Sequence, residues 1–214
     1  MMRTNEILET NREAWNTHYD RSRAALDFPD ENLVRLLQSQ PRGPALDYGC
    51  GSGRHIKLLL DLRFHPVYAT DTSDRALDMC RERFGSTGSA QIIRLPHSGA
   101  QLQIPVGDAA FQTIVCWGVL HYNSPEDTDK MLAEFRRILK PGGVLLGTLR
   151  ATGDTHFQSN SDMDGARIFF YNEDEARRTL NNHFTDTRLG YMERTPIGDL
   201  SRRVCHWFFE ARKP

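Results

Sequence analysis

The chain has 214 residues, of which 39% are hydrophobic, and this fits one domain that can bury a sizeable core. Its 27 lysines and arginines nearly balance 28 acidic residues, so no overall basic field predicts binding to nucleic acid or to an anionic membrane. The four cysteines form no C-x-x-C pair, which argues against a zinc site or a disulfide scaffold, and no metal site is expected. The N-terminus lacks an apolar signal-peptide core, and no run of about 18 apolar residues occurs. We therefore expect a soluble, cytoplasmic protein.

Two helices are predicted before the first strand. The first runs from Glu6 to about Asp20, and the second carries an apolar stripe that includes Leu33 and Leu37. The simplest interpretation of Trp15 in the first helix is that it pins this helix to the main domain.

A glycine-rich turn follows, in residues 44–53, which read PALDYGCGSG. A short apolar run ends at Asp47, and glycines then stand at alternate positions, Gly49, Gly51 and Gly53, before a helical pattern that begins at Arg54. This order predicts strand, tight turn and helix. Glycine accepts backbone conformations that a Cβ disfavours, and the free N–H groups at a helix N-terminus can bind a ligand. The turn therefore predicts a site for a nucleotide-like cofactor.

A second strand is predicted over residues 67–70, and Asp71 follows it, 18 residues after Gly53. Strand, helix and strand form one right-handed βαβ unit. A carboxylate at this strand tip, beside the glycine turn, can accept hydrogen bonds from both hydroxyls of a ribose. The alternative is that Asp71 caps the next helix, although Thr72 and Ser73 also offer hydroxyls for that purpose.

The spacing of the glycines distinguishes between cofactors. The dinucleotide fingerprint G-x-G-x-x-G would require a glycine at position 54, where Arg54 stands, and no phosphate-binding G-x-x-x-x-G-K-[ST] loop is present. An acidic residue two positions before G-x-G-x-G instead resembles motif I of the class I S-adenosylmethionine-dependent methyltransferases. The resemblance implies a doubly wound α/β fold with a seven-stranded, mostly parallel sheet of order 3-2-1-4-5-7-6 that ends in an antiparallel hairpin. It also implies S-adenosylmethionine as the cofactor.

The later elements fit this order. A third strand is predicted over residues 90–95 and a fourth over residues 113–117. Ser124, Pro125 and two acids start a helix that the LKPGG sequence at 139–143 ends. A fifth strand over residues 144–149, a helix over residues 173–181 and two strands near residues 184–193 and 203–212 complete the pattern.

The resemblance assigns residues to a cofactor site at the carboxyl ends of the strands, where the strand order reverses. Family members often carry an N-terminal cap over the cofactor, so we interpret residues 1–40 as a helical cap and residues 41–214 as the cofactor-binding domain. His18 and Tyr19 are then candidates for contact with the cofactor or the acceptor. The family's usual adenine-binding acid is replaced by Ala100, so adenine is expected to meet the backbone of Gln101, or Ser98 or His97. The expected cofactor contacts are Tyr19, Asp47, Gly49, Cys50, Gly51, Asp71, Thr72 and Gln101, together with the backbone of Cys116 and Trp117.

The acceptor side is marked by His121, which resembles the histidine that commonly ends this segment of the family. It is either a packing histidine or a wall of the acceptor site, and in the second case it is a candidate general base and the candidate catalytic residue. The polar stretch from 150 to 167 lies at the same rim, where loops carry specificity. Most of its charged side chains are expected to be solvated, with one or two in contact with the acceptor: Arg150, His156, Asp162, Asp164 and Arg167.

The preferred function is methyl transfer to a small-molecule acceptor by in-line displacement, in which positioning alone can lower the barrier by roughly 7 to 11 kcal/mol. A cofactor-binding partner protein without turnover is the main alternative, because acids usual in the family are replaced at Ala100 and Gln112. A nicotinamide-dependent oxidoreductase is disfavoured by Arg54 and the terminal hairpin. No N-P-P-Y tetrapeptide follows the fourth strand, which disfavours DNA and protein-glutamine acceptors. The acceptor atom and the oligomeric state stay open.

Overall fold

The computed structural model describes residues 4–20, 26–85, 90–94, 103–159 and 166–214. Six α-helices lie within these residues: α1 (Thr4–Tyr19), α2 (Glu31–Gln38), α3 (Arg54–Asp61), α4 (Asp74–Cys80), α5 (Pro125–Ile138) and α6 (Glu173–Asn181). Eight strands accompany them: β1 (Ala45–Tyr48), β2 (Val67–Asp71), β3 (Ala90–Arg94), β4 (Phe111–Cys116), β5 (Leu139–Ala151), β6 (Phe170–Tyr171), β7 (Thr185–Arg194) and β8 (Val204–Arg212). In this part of the chain, no helix has both the length and the apolar character needed to cross a bilayer.

The strands form one sheet in the order β3-β2-β1-β4-β5-β8-β7, and the two-residue β6 pairs with β5. Strands β1 to β5 pair in parallel, whereas β8 is antiparallel to both β5 and β7. The doubly wound sheet with its terminal hairpin is confirmed. The predicted count of seven strands is wrong by one. With β6 included in the numbering, the predicted order 3-2-1-4-5-7-6 becomes 3-2-1-4-5-8-7. Strand β6 was not predicted because two residues are too few to produce an alternating pattern in the sequence.

Both faces of the sheet are covered by helices. One apolar core includes Phe135 of α5 and Leu180 of α6, and the other includes Leu33 of α2, Leu59 of α3 and Leu77 of α4. Strand β1 is buried along its whole length because its side chains enter both cores. Burial on two faces explains why the central strands have continuous apolar sequences rather than alternating ones.

Local capping fixes the helices that frame the site. Ser73 caps α4 by accepting a hydrogen bond from the Ala76 N–H, which frees Asp71 from that role. Ser124 caps α5 in the same way, with Pro125 as the first helical residue, as predicted. Helix α5 ends at Ile138, and the LKPGG sequence that follows already belongs to β5, which is therefore longer than predicted.

Candidate cofactor and acceptor site

The glycine turn joins the end of β1 to the end of β2. The N–H groups of Gly49 and Cys50 donate to the carbonyl oxygen of Thr70 at 2.8 and 3.0 Å. Gly51 has a φ of 52°, in the left-handed region, and a Cβ at this position would overlap the hydroxyl of Tyr19. The turn thus needs glycine for its own conformation and for the close approach of α1.

Asp71 lies beside this turn, where the sequence predicted it. One carboxylate oxygen accepts from the Gly51 N–H and the other from the Ser73 N–H, both at 2.9 Å. Burial raises the pKa of Asp71, and these N–H bonds offset only part of that shift. Since a carboxylate oxygen has a second lone pair, the oriented group retains capacity to accept from ligand hydroxyls.

Asp47 has a different environment. It is fully buried, and neither of its carboxylate oxygens has a hydrogen-bond partner. The Nδ1 atom of His55 is 3.8 Å from Oδ1, beyond hydrogen-bond distance. A buried carboxylate without partners is costly, so this group requires a donor or a cation. Its position, at the end of β1 and between β2 and β4, fits the cationic methionine portion of S-adenosylmethionine.

Helix α1 lies over the turn and is anchored by Asn11. The Asn11 side chain donates to the carbonyl oxygen of Tyr122 at 2.6 Å and accepts from the Arg167 N–H at 2.8 Å. Trp15 packs edge-on against Tyr122, with ring centroids 5.0 Å apart, and is stacked on Tyr19. The expected pinning role of Trp15 agrees with these contacts. Asn11 is a residue that sequence reasoning missed, because nothing local distinguishes it from a surface asparagine.

The hydroxyl of Tyr19 faces the glycine turn. Burial and then the Asp71 carboxylate raise its pKa well above the ordinary value, so the phenol stays protonated. The structure therefore brings Tyr19, Asp47, Gly49, Gly51 and Asp71 together. Thr72 adjoins this group with an exposed side chain.

Three other residues predicted to contact the cofactor have side chains that pack into the protein, so only their backbone could meet a ligand. The Cys50 side chain points into the core, with its sulfur 3.6 Å from that of Cys80, and the Cys116 side chain is also fully buried. The Trp117 ring packs against Phe208 at a centroid distance of 6.4 Å. Residues 116 and 117 lie at the carboxyl end of β4, the strand that pairs with β1. The predicted adenine contact at Gln101, with its neighbours, lies outside the described residues, as do Asp162 and Asp164.

His121 lies in the short 3₁₀ turn after β4 and is buried. Its Nδ1 atom has no hydrogen-bond partner, and its carbonyl oxygen accepts from the Phe169 N–H at 2.8 Å. Burial, followed by the positive charges of His206 and Arg150, lowers the pKa of His121 well below the ordinary value. The ring is therefore neutral near pH 7.

A pair of charged side chains, Arg150 and Asp154, lies at the end of β5 and just after it, near His121. Arg150 is buried, contrary to the expectation of solvation, and its Nε donates to Asp154 at 2.5 Å. Asp154 also accepts from the backbone N–H groups of His156 and Cys205, each at 2.8 Å. Burial raises the pKa of the Asp154 carboxyl, but Arg150 and these N–H groups outweigh it, so the net shift is downward.

Comparison with known proteins agrees with this geometry. Residues 45–143 match a family described as a methyltransferase domain. The malonyl-[acyl-carrier protein] O-methyltransferase of Serratia marcescens is 31% identical over 155 residues, which are 70% of this chain and 55% of that protein. The tRNA (carboxymethyluridine(34)-5-O)-methyltransferase of Mus musculus is 28% identical over 173 residues, 79% of this chain and 24% of the relative. The chain thus spans about half or less of the length of these curated relatives.

Solved structures share the fold. One of them is the Burkholderia thailandensis 1,6-didemethyltoxoflavin-N1-methyltransferase with bound 1,6-didemethyltoxoflavin and S-adenosylhomocysteine. It superposes with a TM-score of 0.71 at 20% identity, and the match covers 100% of this chain and 91% of the Burkholderia chain. S-Adenosylmethionine is the cofactor of this family, and the two acids beside the glycine turn suit it. The chain belongs to the class I S-adenosylmethionine-dependent methyltransferases.

Proposed function

We propose that the protein is an S-adenosylmethionine-dependent methyltransferase that transfers the methyl group to a small-molecule acceptor by in-line displacement. The observation that carries this proposal is the buried Asp47 carboxylate, which lies at the glycine turn without a partner. A cationic ligand at this point would remove the energetic cost of the unpaired charge.

Each residue of the site has a role in this proposal. Asp47 attracts the cationic methionine portion, and Asp71 accepts hydrogen bonds from the ribose hydroxyls. Residues 1–40 act as a cap in which Tyr19 covers the turn, and residues 41–214 bind the cofactor. The remaining proposed contacts are Gly49, Cys50, Gly51, Thr72, Gln101, Cys116 and Trp117. When bound, the cofactor supplies an electrophilic methyl group on a sulfonium.

His121 is the proposed catalytic residue. Its Nδ1 atom is buried and has no hydrogen-bond partner. In the neutral ring with its proton on Nε2, a lone pair on Nδ1 is available. The neutral ring can therefore accept a proton from an acceptor hydroxyl or amine, an effect worth roughly a hundredfold or more in rate.

A small acceptor is favoured by the position of α1 and by the charge of the chain. Asn11 and Trp15 hold α1 across the site, which limits access for a bulky substrate. The formal net charge of −1 supplies no overall attraction for tRNA, the substrate of some relatives. The Burkholderia enzyme, by contrast, has a small heterocycle bound.

Calorimetry and a transfer assay test the proposal. We expect saturable binding of S-adenosylmethionine and S-adenosylhomocysteine, loss of that binding in Asp71→Ala, and no binding of NAD. Labelled methyl from S-adenosylmethionine, offered with fractionated cell extract, should then enter the low-mass fraction and not the tRNA fraction. Absence of cofactor binding by the folded protein refutes the proposal. Tight binding without transfer to any fraction supports a non-catalytic partner instead.

A further inference from the structure

Two thiols are in contact beside the glycine turn. The sulfur of Cys50, in the turn, lies 3.6 Å from the sulfur of Cys80, the last residue of α4. The Cys80 thiol also contacts the backbone of the turn, since it donates to the carbonyl oxygen of Gly51 at 3.1 Å. Both cysteines are free and buried. The pair therefore connects α4 to the part of the turn that is the proposed cofactor contact.

The two sulfurs need only a small movement to form a covalent bond. Their separation of 3.6 Å exceeds the length of a disulfide bond, about 2.0 Å, by roughly 1.6 Å. Cys50 is the more fixed partner, because its N–H donates to the carbonyl oxygen of Thr70 on β2 at 3.0 Å. Cys80 has more freedom, because α4 ends there and the side chains of the following π-helical turn, Arg81–Gly85, are exposed or half-buried. Bond formation would therefore draw the end of α4 towards the glycine turn.

The turn is packed too closely to accept this movement unchanged. A Cβ added at Gly53 would lie 3.2 Å from the Cys80 sulfur and 2.5 Å from the Phe84 ring, so little space separates the turn from the end of α4. A disulfide would also remove the thiol hydrogen that the Gly51 carbonyl accepts. The N–H of the same glycine orients Asp71, the carboxylate proposed to bind the ribose hydroxyls. Oxidation of the pair should therefore weaken cofactor binding.

We propose that Cys50 and Cys80 form a reversible disulfide when they react with hydrogen peroxide, and that this disulfide switches off cofactor binding. The inference rests on the proposed function, because it concerns regulation of the same cofactor site. The sulfur of one cysteine attacks a peroxide oxygen, the O–O bond breaks, and a sulfenic acid and one water form. The second sulfur then displaces another water from the sulfenic acid as the S–S bond forms. The two thiols lose two electrons and two protons, and hydrogen peroxide is reduced to two waters.

Cofactor binding and oxidation should oppose each other. The contact with Cys80, together with burial, raises the pKa of Cys50 well above its ordinary value, so the folded site contains little of the reactive thiolate. Reaction with peroxide therefore requires local opening of the site, and a ligand that holds the turn in place should slow it. By linkage, a disulfide that lowers the affinity for the ligand is itself less stable when the ligand is bound.

Peroxide treatment followed by calorimetry tests the inference on the full chain. Hydrogen peroxide is added, catalase removes the excess, and mass spectrometry of peptides identifies the disulfide. We expect a bond between Cys50 and Cys80 that lowers the affinity for S-adenosylhomocysteine by roughly tenfold or more, and we expect dithiothreitol to restore the affinity. Saturating S-adenosylhomocysteine, added before the peroxide, should slow formation of the disulfide.

Two variants separate this effect from oxidation elsewhere. In Cys80→Ser the hydroxyl can still donate to Gly51, and peroxide should change the affinity by less than about twofold. Cys80→Ala serves the same purpose if Cys80→Ser does not fold. In the control Cys205→Ser, on β8, both the disulfide and the loss of affinity should persist.

The outcomes distinguish this inference from the proposed function. Failure of the reduced protein to bind S-adenosylhomocysteine refutes the proposed function itself. If the reduced protein binds it, only the switch is refuted when no bond forms between Cys50 and Cys80, or when the bond leaves the affinity unchanged or raises it. A loss of affinity that persists in Cys80→Ser or Cys80→Ala also refutes the switch, because oxidation at other residues, such as the methionines, is then the cause.

Discussion

Two buried aspartates allow a direct comparison of a paired with an unpaired carboxylate. Asp47 is fully buried and has no hydrogen-bond partner, whereas Asp154 is buried with four donors from Arg150, His156 and Cys205. We expect Asp47→Asn to stabilise the protein in the absence of cofactor and Asp154→Asn to destabilise it. The substitutions are chemically identical, so the opposite signs come from the surroundings alone.

The magnitude follows from desolvation. A buried polar group without a partner costs about 1–3 kcal/mol, and more if charged. Asparagine at position 47 removes the charge but leaves a buried amide without partners, so only the extra cost of the charge is recovered, and the free energy of unfolding without ligand should rise by about 1 kcal/mol or more. For a chain of this size the midpoint temperature should rise by roughly 2–4 °C per kcal/mol. Asp154→Asn leaves part of the Arg150 charge uncompensated and should lower the free energy of unfolding by about 3 kcal/mol or more.

The cofactor reverses the effect at position 47. Loss of a charge-assisted contact worth about 1.5–3 kcal/mol should weaken S-adenosylmethionine binding by roughly 10- to 150-fold in Asp47→Asn. Thermal unfolding with and without saturating S-adenosylmethionine measures both quantities in one assay. If Asp47→Asn lowers the midpoint of the free protein and binds the cofactor normally, Asp47 is a structural carboxylate and our reasoning is wrong.

Three further variants test other parts of the site. Gly51→Ala should lose about 1–2 kcal/mol of stability because its backbone is left-handed, and it should also lose cofactor affinity because its Cβ displaces Tyr19. The control Gly142→Ala has a similar φ of 71° with open space around its Cβ, so it should lose stability only. Equal losses of cofactor affinity in the two variants would contradict this reasoning. The pKa of His121 is lowered in the folded state, so the free energy of unfolding should fall as the pH drops below about 6.5, by up to about 1.4 kcal/mol per pH unit. Urea titrations at pH 7.5 and 5.5 should show a smaller fall for His121→Gln than for the unchanged protein. Equal falls would show that the pKa of His121 is not lowered. Asn11→Ala should speed hydrogen exchange in α1 and leave exchange in the sheet unchanged, because the bonds of Asn11 to the segments after β4 and before β6 are lost. Unchanged exchange in α1 would show that Asn11 does not anchor the helix.

The sequence predicted the parts of the fold whose causes are local. Continuous apolar runs predicted the central strands, and Ser124 with Pro125 predicted the start of α5 to the residue. The glycine turn was predicted because its backbone can be formed by few residues other than glycine. The acid at position 71 was placed correctly because the βαβ unit fixes the distance between strand tips.

What the sequence did not predict depends on contacts between distant residues. Asn11 binds a carbonyl 111 positions away, and Asp154 binds an N–H group 51 positions away. Arg150 was expected to be solvated, but it is buried in the fold, where it lies opposite His206 of β8. The thiols of Cys50 and Cys80 are 30 positions apart in sequence and are in contact in the fold. None of these pairings leaves a periodic pattern in the sequence.

In the proposed function, the two acids of the glycine turn have different roles in cofactor binding: Asp71 is preorganised for hydrogen bonds, and Asp47 supplies charge. Asp71 is already oriented by the N–H groups of Gly51 and Ser73, so little rotational freedom is lost when hydroxyls bind to it. Neither oxygen of Asp47 has a hydrogen-bond partner, so a ligand that donates to it meets a need that the protein leaves open. A ligand that meets this need stabilises the folded chain by about 2.7 kcal/mol at a concentration of one hundred times its dissociation constant. If Asp47 supplies this coupling, thermal stabilisation by the cationic S-adenosylmethionine should exceed that by the neutral thioether S-adenosylhomocysteine at equal concentration, and the excess should vanish in Asp47→Asn.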